Sequence, residues 1–159
     1  MKTSDQKLEF AASNPTHKKH PNDSFTATLT PPRRYTGEHF EADWIQCIPS
    51  TQDGTFLITG RYDEGGGDAY VGIQIIFQKD LPDGEHEVGP KGSAVSGNLA
   101  FLSSWSINTE ILRAKKGKFH LQRIAHNSIN ATIDMEFEYN NETIKVSNGK
   151  VFVTIDTPV

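Results

Sequence analysis

The segment at residues 63–68, which reads DEGGGD, carries three carboxylates within six residues. Carboxylate and backbone oxygens are the ligands that Ca²⁺ prefers. Asp63, Glu64 and Asp68 are therefore our candidate metal ligands, and calcium is the one cofactor that the sequence suggests. Their spacing does not match that of an EF-hand loop. The alternative, which the sequence favours, is a solvated hairpin tip in which the glycines allow the chain to turn.

Aromatic residues near this segment suggest a ligand-binding platform. Tyr62 and Tyr70 flank the acidic segment, and Trp105 ends a later apolar run. A flat aromatic ring can stack on the apolar face of a sugar ring, much as it attracts cations. We name these three residues as candidate carbohydrate-binding residues. The alternative is burial in the core, which is the commoner position of such side chains.

Few residue patterns indicate catalysis. The sequence contains no nucleophile elbow, phosphate-binding loop or dinucleotide fingerprint, and Cys47 lies among apolar residues. A metal-dependent enzyme would need side chains from separate strands to converge, the candidates being His39, Glu41, His86 and His120. We therefore predict a protein that is not an enzyme and that needs no cofactor.

A basic cluster surrounds the KKG segment at residues 115–117. Its members are Arg113, Lys115, Lys116, Lys118, His120 and Arg123. Such a cluster could bind a phosphate, a sulfated sugar or an acidic partner. The alternative is an exposed turn whose charges protect a strand edge from pairing with another chain.

The elements that position these residues are predicted to be β-strands. Apolar and polar residues alternate strictly from Ile129 to Tyr139. A period of two places all the apolar side chains on one face of a strand. Between residues 111 and 155, five such runs are separated by four short segments that contain Gly, Asn or Ser. This spacing predicts an antiparallel meander in the last third of the chain.

Earlier runs predict further strands at residues 24–30, 39–48, 54–62, 69–78, 85–88 and 97–105. The strand at 97–105 is interpreted as a sheet edge, which would allow a homodimer. The chain thus contains about nine or ten short strands and no convincing helix. We predict an antiparallel β-sandwich, and an up-and-down, lipocalin-like β-barrel is the alternative.

Length and composition indicate one folded domain preceded by a tail. The chain has 159 residues, which is the usual size of one domain. Residues 1–23 are polar and lack periodicity, so we predict a flexible tail there and a single β domain over residues 24–159. Leu8, Phe10, Ala11 and Ala12 are the residues of the tail that could anchor it.

Charge and hydropathy limit the classes of partner and the cellular locations that the sequence predicts. The net charge is −4, whereas nucleic-acid-binding proteins are usually basic, so we predict no nucleic-acid partner. No apolar run is long enough for a transmembrane helix, and no apolar core of a signal peptide follows Lys2. A single cysteine leaves no internal disulfide. These features predict a cytoplasmic protein, with an envelope or secreted location as the alternative.

Seven runs occur in the order SFTATL, GTFLITGRY, VGIQIIF, LPDGEHEVG, GKFHLQRI, INATIDMEFEY and KVSNGKVFVTI. In this order the chain resembles small bacterial β-domains of unknown function that occur in envelope lipoproteins. The shared features are an opening Phe-Thr-Ala strand and a closing strand after an Asn-Gly turn. The chain departs from that class because it has no lipobox cysteine. The resemblance implies a β fold and no established activity.

These observations together predict a binding module. A rigid β-sandwich would present the loops at residues 63–68 and 79–97, or a concave aromatic face, to a carbohydrate or protein partner. A lipocalin-like carrier that holds a small apolar ligand inside a barrel is the alternative. A metal-dependent enzyme is the least favoured hypothesis.

Overall fold

The computed structural model describes residues 20–33, 37–50, 54–63, 70–102, 109–125 and 127–155. These ranges contain eleven β-strands. The strands are β1 (Ser24–Arg33), β2 (Gly37–Glu41), β3 (Trp44–Ser50), β4 (Thr55–Asp63), β5 (Tyr70–Gln78), β6 (Gly84–Val88), β7 (Val95–Leu102), β8 (Thr109–Arg113), β9 (Lys116–Ala125), β10 (Ser128–Tyr139) and β11 (Glu142–Thr154). Within these ranges, no helix has the length and apolar character needed to cross a membrane.

The strands form two antiparallel sheets. One sheet has six strands in the order β2-β1-β11-β10-β9-β6, and the other has five in the order β3-β4-β5-β7-β8. The predicted all-β sandwich is therefore confirmed. The barrel alternative is wrong, because the described strands form two open sheets that do not close on each other.

The core lies between the two sheets and follows the predicted alternation. On β10, the apolar residues from Ile129 to Phe137 are at most 2% exposed, and the polar residues that alternate with them face outward. Aromatic rings join the sheets, with the centroids of Phe77 on β5 and Phe119 on β9 only 5.2 Å apart. One continuous apolar cluster therefore holds the two sheets together.

Residues 39–48 form two strands rather than the single strand predicted, because the chain crosses between the sheets at this point. The Ala42 N–H donates to the Phe25 carbonyl of the six-stranded sheet at 3.0 Å. The next N–H, that of Asp43, donates to the Arg61 carbonyl of the five-stranded sheet at 2.9 Å. Neighbouring backbone groups thus pair with different sheets, which ends β2 and begins β3.

This crossing reverses the alternation of side chains. Phe40 and Ala42 face the core before the crossing, whereas Ile45 and Cys47 face it afterwards, and all four are at most 1% exposed. Trp44, predicted to share a face with Phe40, instead lies on the outer face of the five-stranded sheet, opposite Arg61. The apolar surroundings predicted for Cys47 are confirmed.

The C-terminal meander is shorter than predicted. β9, β10 and β11 are sequential antiparallel neighbours, but β8 belongs to the other sheet. The chain therefore crosses between the sheets a second time, at the start of the KKG segment. The Ala114 N–H donates to the Gly97 carbonyl of the five-stranded sheet, and the Lys115 N–H donates to the Glu136 carbonyl of the six-stranded sheet, both at 2.8 Å. The segment Ser147-Asn148-Gly149, predicted as a turn, lies inside β11.

The strand predicted at residues 97–105 is not a sheet edge. Its counterpart, β7, pairs with β5 on one side and with β8 on the other. The prediction that this strand offers a free edge for a homodimer is therefore wrong. The strands at the sheet edges are β2, β6, β3 and β8.

Asp23 connects the start of β1 to the end of β11. Its side chain is 3% exposed. Its Oδ1 accepts hydrogen bonds from the N–H of Thr154 at 3.0 Å and from the hydroxyl of Thr154 at 3.1 Å. Burial raises the pKa of the Asp23 carboxyl above its ordinary value of 3.8, although the bonds from Thr154 act in the opposite direction.

This raised pKa gives a prediction for the pH dependence of stability. The folded state binds the Asp23 proton more tightly than the unfolded state, so stability falls as pH rises from 3.8 through the folded pKa. Asp23→Asn keeps an acceptor oxygen without the charge. We expect this variant to be at least as stable as the wild type in urea at neutral pH, with the difference shrinking as pH falls.

Asp23→Ala is the control for this prediction, because it removes the acceptor as well as the charge. We expect it to lower the free energy of unfolding by about 1 kcal/mol. Urea titrations of the three proteins at neutral and at acidic pH provide the measurement. An advantage of Asp23→Asn that grows as pH falls would contradict the assigned pKa direction.

Candidate functional site

The two tyrosines of the predicted aromatic platform lie on opposite faces of one sheet. Tyr62 lies opposite Val71 in the β4–β5 pair and packs against the main core. Tyr70 lies on the other face of the same sheet, where it is 8% exposed and the Arg61 Cζ lies 4.2 Å from its ring centroid. Trp105 lies outside the described residues. The two tyrosines therefore contact different surroundings.

The predicted calcium ligands fall mostly outside the described residues. This holds for Glu64 and Asp68, whereas Asp63 is the last residue of β4 and lies opposite Tyr70. Among the residues that the structure does describe, no group of three His, Cys, Asp or Glu side chains could hold a metal ion. Calcium at this loop stays a prediction.

The side chains named for a metal-dependent enzyme do not converge. His39 lies 3.5 Å from Glu41 on β2, which is four strands from His120 on β9, a separation of about 19 Å. His86 lies opposite Phe119, whereas His120 lies opposite Glu85, so the side chains of His86 and His120 point to opposite faces of the sheet.

Four of the six members of the basic cluster pair with carboxylates, and Arg113 lies apart from them on β8 of the other sheet. Lys115 contacts Glu138 at 3.4 Å, and Lys116 contacts Glu136 at 3.8 Å. Lys118 lies 3.1 Å from Glu87 and 3.8 Å from Glu85, and Arg123 pairs with Asp83 at 2.8 Å. The cluster therefore presents alternating charges rather than a basic patch.

Some of these charged residues line a groove of about 340 Å³ on the outer face of the six-stranded sheet. The groove extends across β6, β9, β10 and β11. Its lining residues are Glu87, Lys116, Gly117, Lys118, Asp134, Met135, Glu136, Lys145, Val146 and Ser147. The side chains of Met135 and Val146 are buried in the core, so these two residues contribute main-chain atoms to the floor.

A β-bulge in β11 accounts for the depression in the sheet. Ile133 pairs with Gly149 but Met135 pairs with Val146, so β11 carries one extra residue at this point. Asn148 occupies the left-handed region with φ of 53°, and its N–H donates to Asp134 Oδ1 at 3.2 Å. A bulge bends its strand and increases the local twist, which makes the outer face concave here.

The electrostatics of the groove differ among its three lysines. The Lys118 pKa is raised, first by the hydrogen bond to Glu87 and then by the charge of Glu85. Lys116 pairs with Glu136. Lys145 lies opposite Glu136 in the β10–β11 register, yet within the described ranges no carboxylate is in ion-pair distance of it. Lys145 is therefore the lysine of the groove that is open to a ligand anion.

β6 forms one side of the groove, and the segment that precedes it is fixed to β9 by one arginine. Arg123 on β9 donates from its Nη1 and its backbone N–H to the Asp83 carboxylate, at 2.8 and 3.1 Å, and from its Nη2 to the Lys79 carbonyl at 2.9 Å. These hydrogen bonds lower the pKa of Asp83. Part of the segment 79–97, predicted as a loop, is thus fixed against the sheet.

Two of the groove lysines, Lys116 and Lys118, were candidates from the sequence, whereas Asp134, Glu136 and Lys145 were not. The alternation along β10 placed both acidic residues on an outer face. Their position beside lysines of β9 and β11 depends on the strand register, which links residues far apart in sequence. The one local signal for the depression is the Ser-Asn-Gly segment of the bulge.

No protein-family model, no curated protein and no solved structure matches the chain.

Proposed function

We propose that the protein is a non-enzymatic binding module and that the groove on the six-stranded sheet is its binding site. The observation that supports this is the arrangement of three lysines and three carboxylates around a main-chain floor on four neighbouring strands. Rigid strands position side chains more accurately than loops do. The groove therefore replaces the loops at residues 63–68 and 79–97 as our proposed site.

The chemistry of the lining favours a protein partner over a carbohydrate. None of the lining residues is aromatic, so the groove has no ring on which a sugar could stack. Equal numbers of positive and negative side chains instead suit a segment that carries both signs, because complementary charges orient a partner and reject others. A volume of about 340 Å³ accommodates a few residues of an extended protein segment.

Lys145 is the side chain on which we expect binding to depend most. It lies on β11 next to the bulge, is exposed, and forms no ion pair with the described carboxylates. A partner carboxylate placed there would gain a charge-assisted hydrogen bond without breaking an existing pair. Lys116 and Lys118, in contrast, would first have to leave Glu136 and Glu87.

The test uses a library of random peptides displayed on phage, with a glycan array measured in parallel. We expect the library to yield peptides that contain both acidic and basic residues. Lys145→Glu is expected to weaken their binding at least about tenfold, which corresponds to the loss of one charge-assisted contact. Fluorescence anisotropy of labelled peptides measures the affinities.

Lys150→Glu is the matched control, because Lys150 is exposed on β11 as Lys145 is and does not line the groove. We expect this variant to bind the selected peptides as the wild type does. Peptides that are equally sensitive to both substitutions would show a general charge effect and contradict the proposed site. Glycan binding without peptide binding would overturn the choice of a protein partner.

A further inference from the structure

The middle of the outer face of the five-stranded sheet is buried, although no described strand packs against it. Side chains on this face alternate with core residues of the same strands, and seven of them are at most 8% exposed. They are Trp44, Thr59, Tyr70, Gln74, Ser96, Asn98 and Ala100. Side chains in the middle of an open sheet face keep contact with water. This face is therefore an interface.

The centre of the face is a row of polar side chains. Asn98 Nδ2 donates to Gln74 Oε1 at 3.1 Å, and Gln74 Nε2 donates to Thr59 Oγ1 at 3.3 Å. Buried amides require partners, and after these bonds Gln74 keeps one amide hydrogen while Asn98 keeps one amide hydrogen and its oxygen. A peptide backbone supplies matching N–H and C=O groups. The chemistry of the row therefore fits a peptide segment and not a lipid tail.

We propose that the occupant of this face is the N-terminal segment of the same chain, residues 1–19, docked through Leu8 and Phe10. The segment joins the fold just before Asp23, which is hydrogen-bonded to Thr154. The residue after Thr154, Ile155, forms a bridge with Cys47 of β3. Because β3 is an edge strand of the five-stranded sheet, the segment starts beside the edge of the face that it covers.

The reach of the chain supports this occupant over the strand connections. The polar row lies four residues, about 13 Å, from the strand ends at Tyr70 and Leu102. The connections at residues 64–69 and 103–108 have six residues each. Because each must return to the sheet, it can reach roughly 10 Å over the face. Residues 1–19 can span on the order of 60 Å and carry the large apolar side chains that docking requires.

The test uses Trp44, one of the two tryptophans of the chain, as a reporter of the covered face. In the full-length chain with Trp105→Phe, we expect Trp44 to emit at short wavelength and to resist quenching by acrylamide. Leu8→Ser combined with Phe10→Ser is expected to raise the quenching constant several-fold. Lys18→Ser combined with Lys19→Ser is the control within the same segment and should leave the constant unchanged.

A second pair of variants reports on the segment itself and leaves its apolar character intact. With Trp44 and Trp105 both replaced by phenylalanine, Phe10→Trp is expected to emit as a buried indole and Lys18→Trp as a solvated one. Solvent-like emission from Phe10→Trp, or quenching of Trp44 that is unaffected by the serine pair, overturns the proposal. Quenching of Trp44 that depends on protein concentration overturns it in favour of a second copy of the chain.

Discussion

Replacing Phe119 with alanine is expected to lower the free energy of unfolding by about 3–5 kcal/mol, the usual cost of deleting a fully buried phenyl ring. Phe119 is 0% exposed, and its ring contacts that of Phe77 on the opposite sheet. The substitution leaves a cavity between the two sheets that the strands on either side cannot fill without bending. Urea titration followed by far-UV circular dichroism measures the change.

His120→Ala is the control for this prediction, because His120 is the next residue of β9 and is exposed on the outer face. We expect its effect to stay within about 0.5 kcal/mol. An equal loss of stability for both variants would mean that β9 responds to any substitution. The assignment of Phe119 to the centre of the core would then be wrong.

Replacing Gly117 with alanine is expected to cost about 3 kcal/mol, at the upper end of the range for overpacking. A Cβ at this position would overlap the carbonyl oxygen of Asp134 and lie 2.9 Å from the Cα of Met135. Both atoms belong to the backbone of β10, which pairs with β9 at this point. The overlap can be relieved only if the two strands move apart, so we also expect the groove to change shape.

Gly97→Ala separates this effect from overpacking in general. A Cβ at Gly97 would overlap the sulfur of Met135, which is the far part of a flexible side chain, and would lie 3.2 Å from the Gln74 carbonyl oxygen. Because methionine adapts its rotamer readily, we expect a smaller cost than at Gly117. Chemical denaturation of both variants provides the comparison, and a reversed order would contradict the backbone origin of the cost.

The strands themselves could be predicted from the sequence, because alternation is a local property. β10 is the clearest example: its apolar residues from Ile129 to Phe137 are buried and the residues between them face outward. The hairpin of β4 and β5 and the short strand β6 were predicted for the same reason and are present. In each of these, turn residues and a period of two gave consistent information.

Local patterns failed where the chain changes sheets. Phe40, Ala42 and Trp44 follow one another at intervals of two residues, which predicts that they share one face of one strand. Trp44 nevertheless lies on the other sheet, after the crossing at Asp43. No residue type marks such a crossing, because its cause is the competition of two sheets for successive backbone N–H groups. The turn predicted at Ser147–Gly149 was wrong for a related reason. The Ser, Asn and Gly residues that form the bulge there also favour turns.

The candidate site was less accessible to prediction than the fold. Tyr62 and Tyr70 are close in the β4–β5 hairpin, but the register places them on opposite faces of the sheet. The groove gathers residues from four strands that lie up to 60 positions apart, from Glu87 to Ser147. Such a site becomes visible only once the pairing partners and registers of the strands are known.

The position of β11 has a consequence for how the chain can fold. This strand lies between β1 and β10 in the six-stranded sheet, and the bond from Thr154 to Asp23 spans 131 positions. During synthesis β1 therefore emerges long before its partner on that side exists. Pairings between such distant segments form slowly, because a long loop must close before any contact is gained. Until β11 has been synthesised, β1 and β10 each present a bare edge at which two nascent chains can pair.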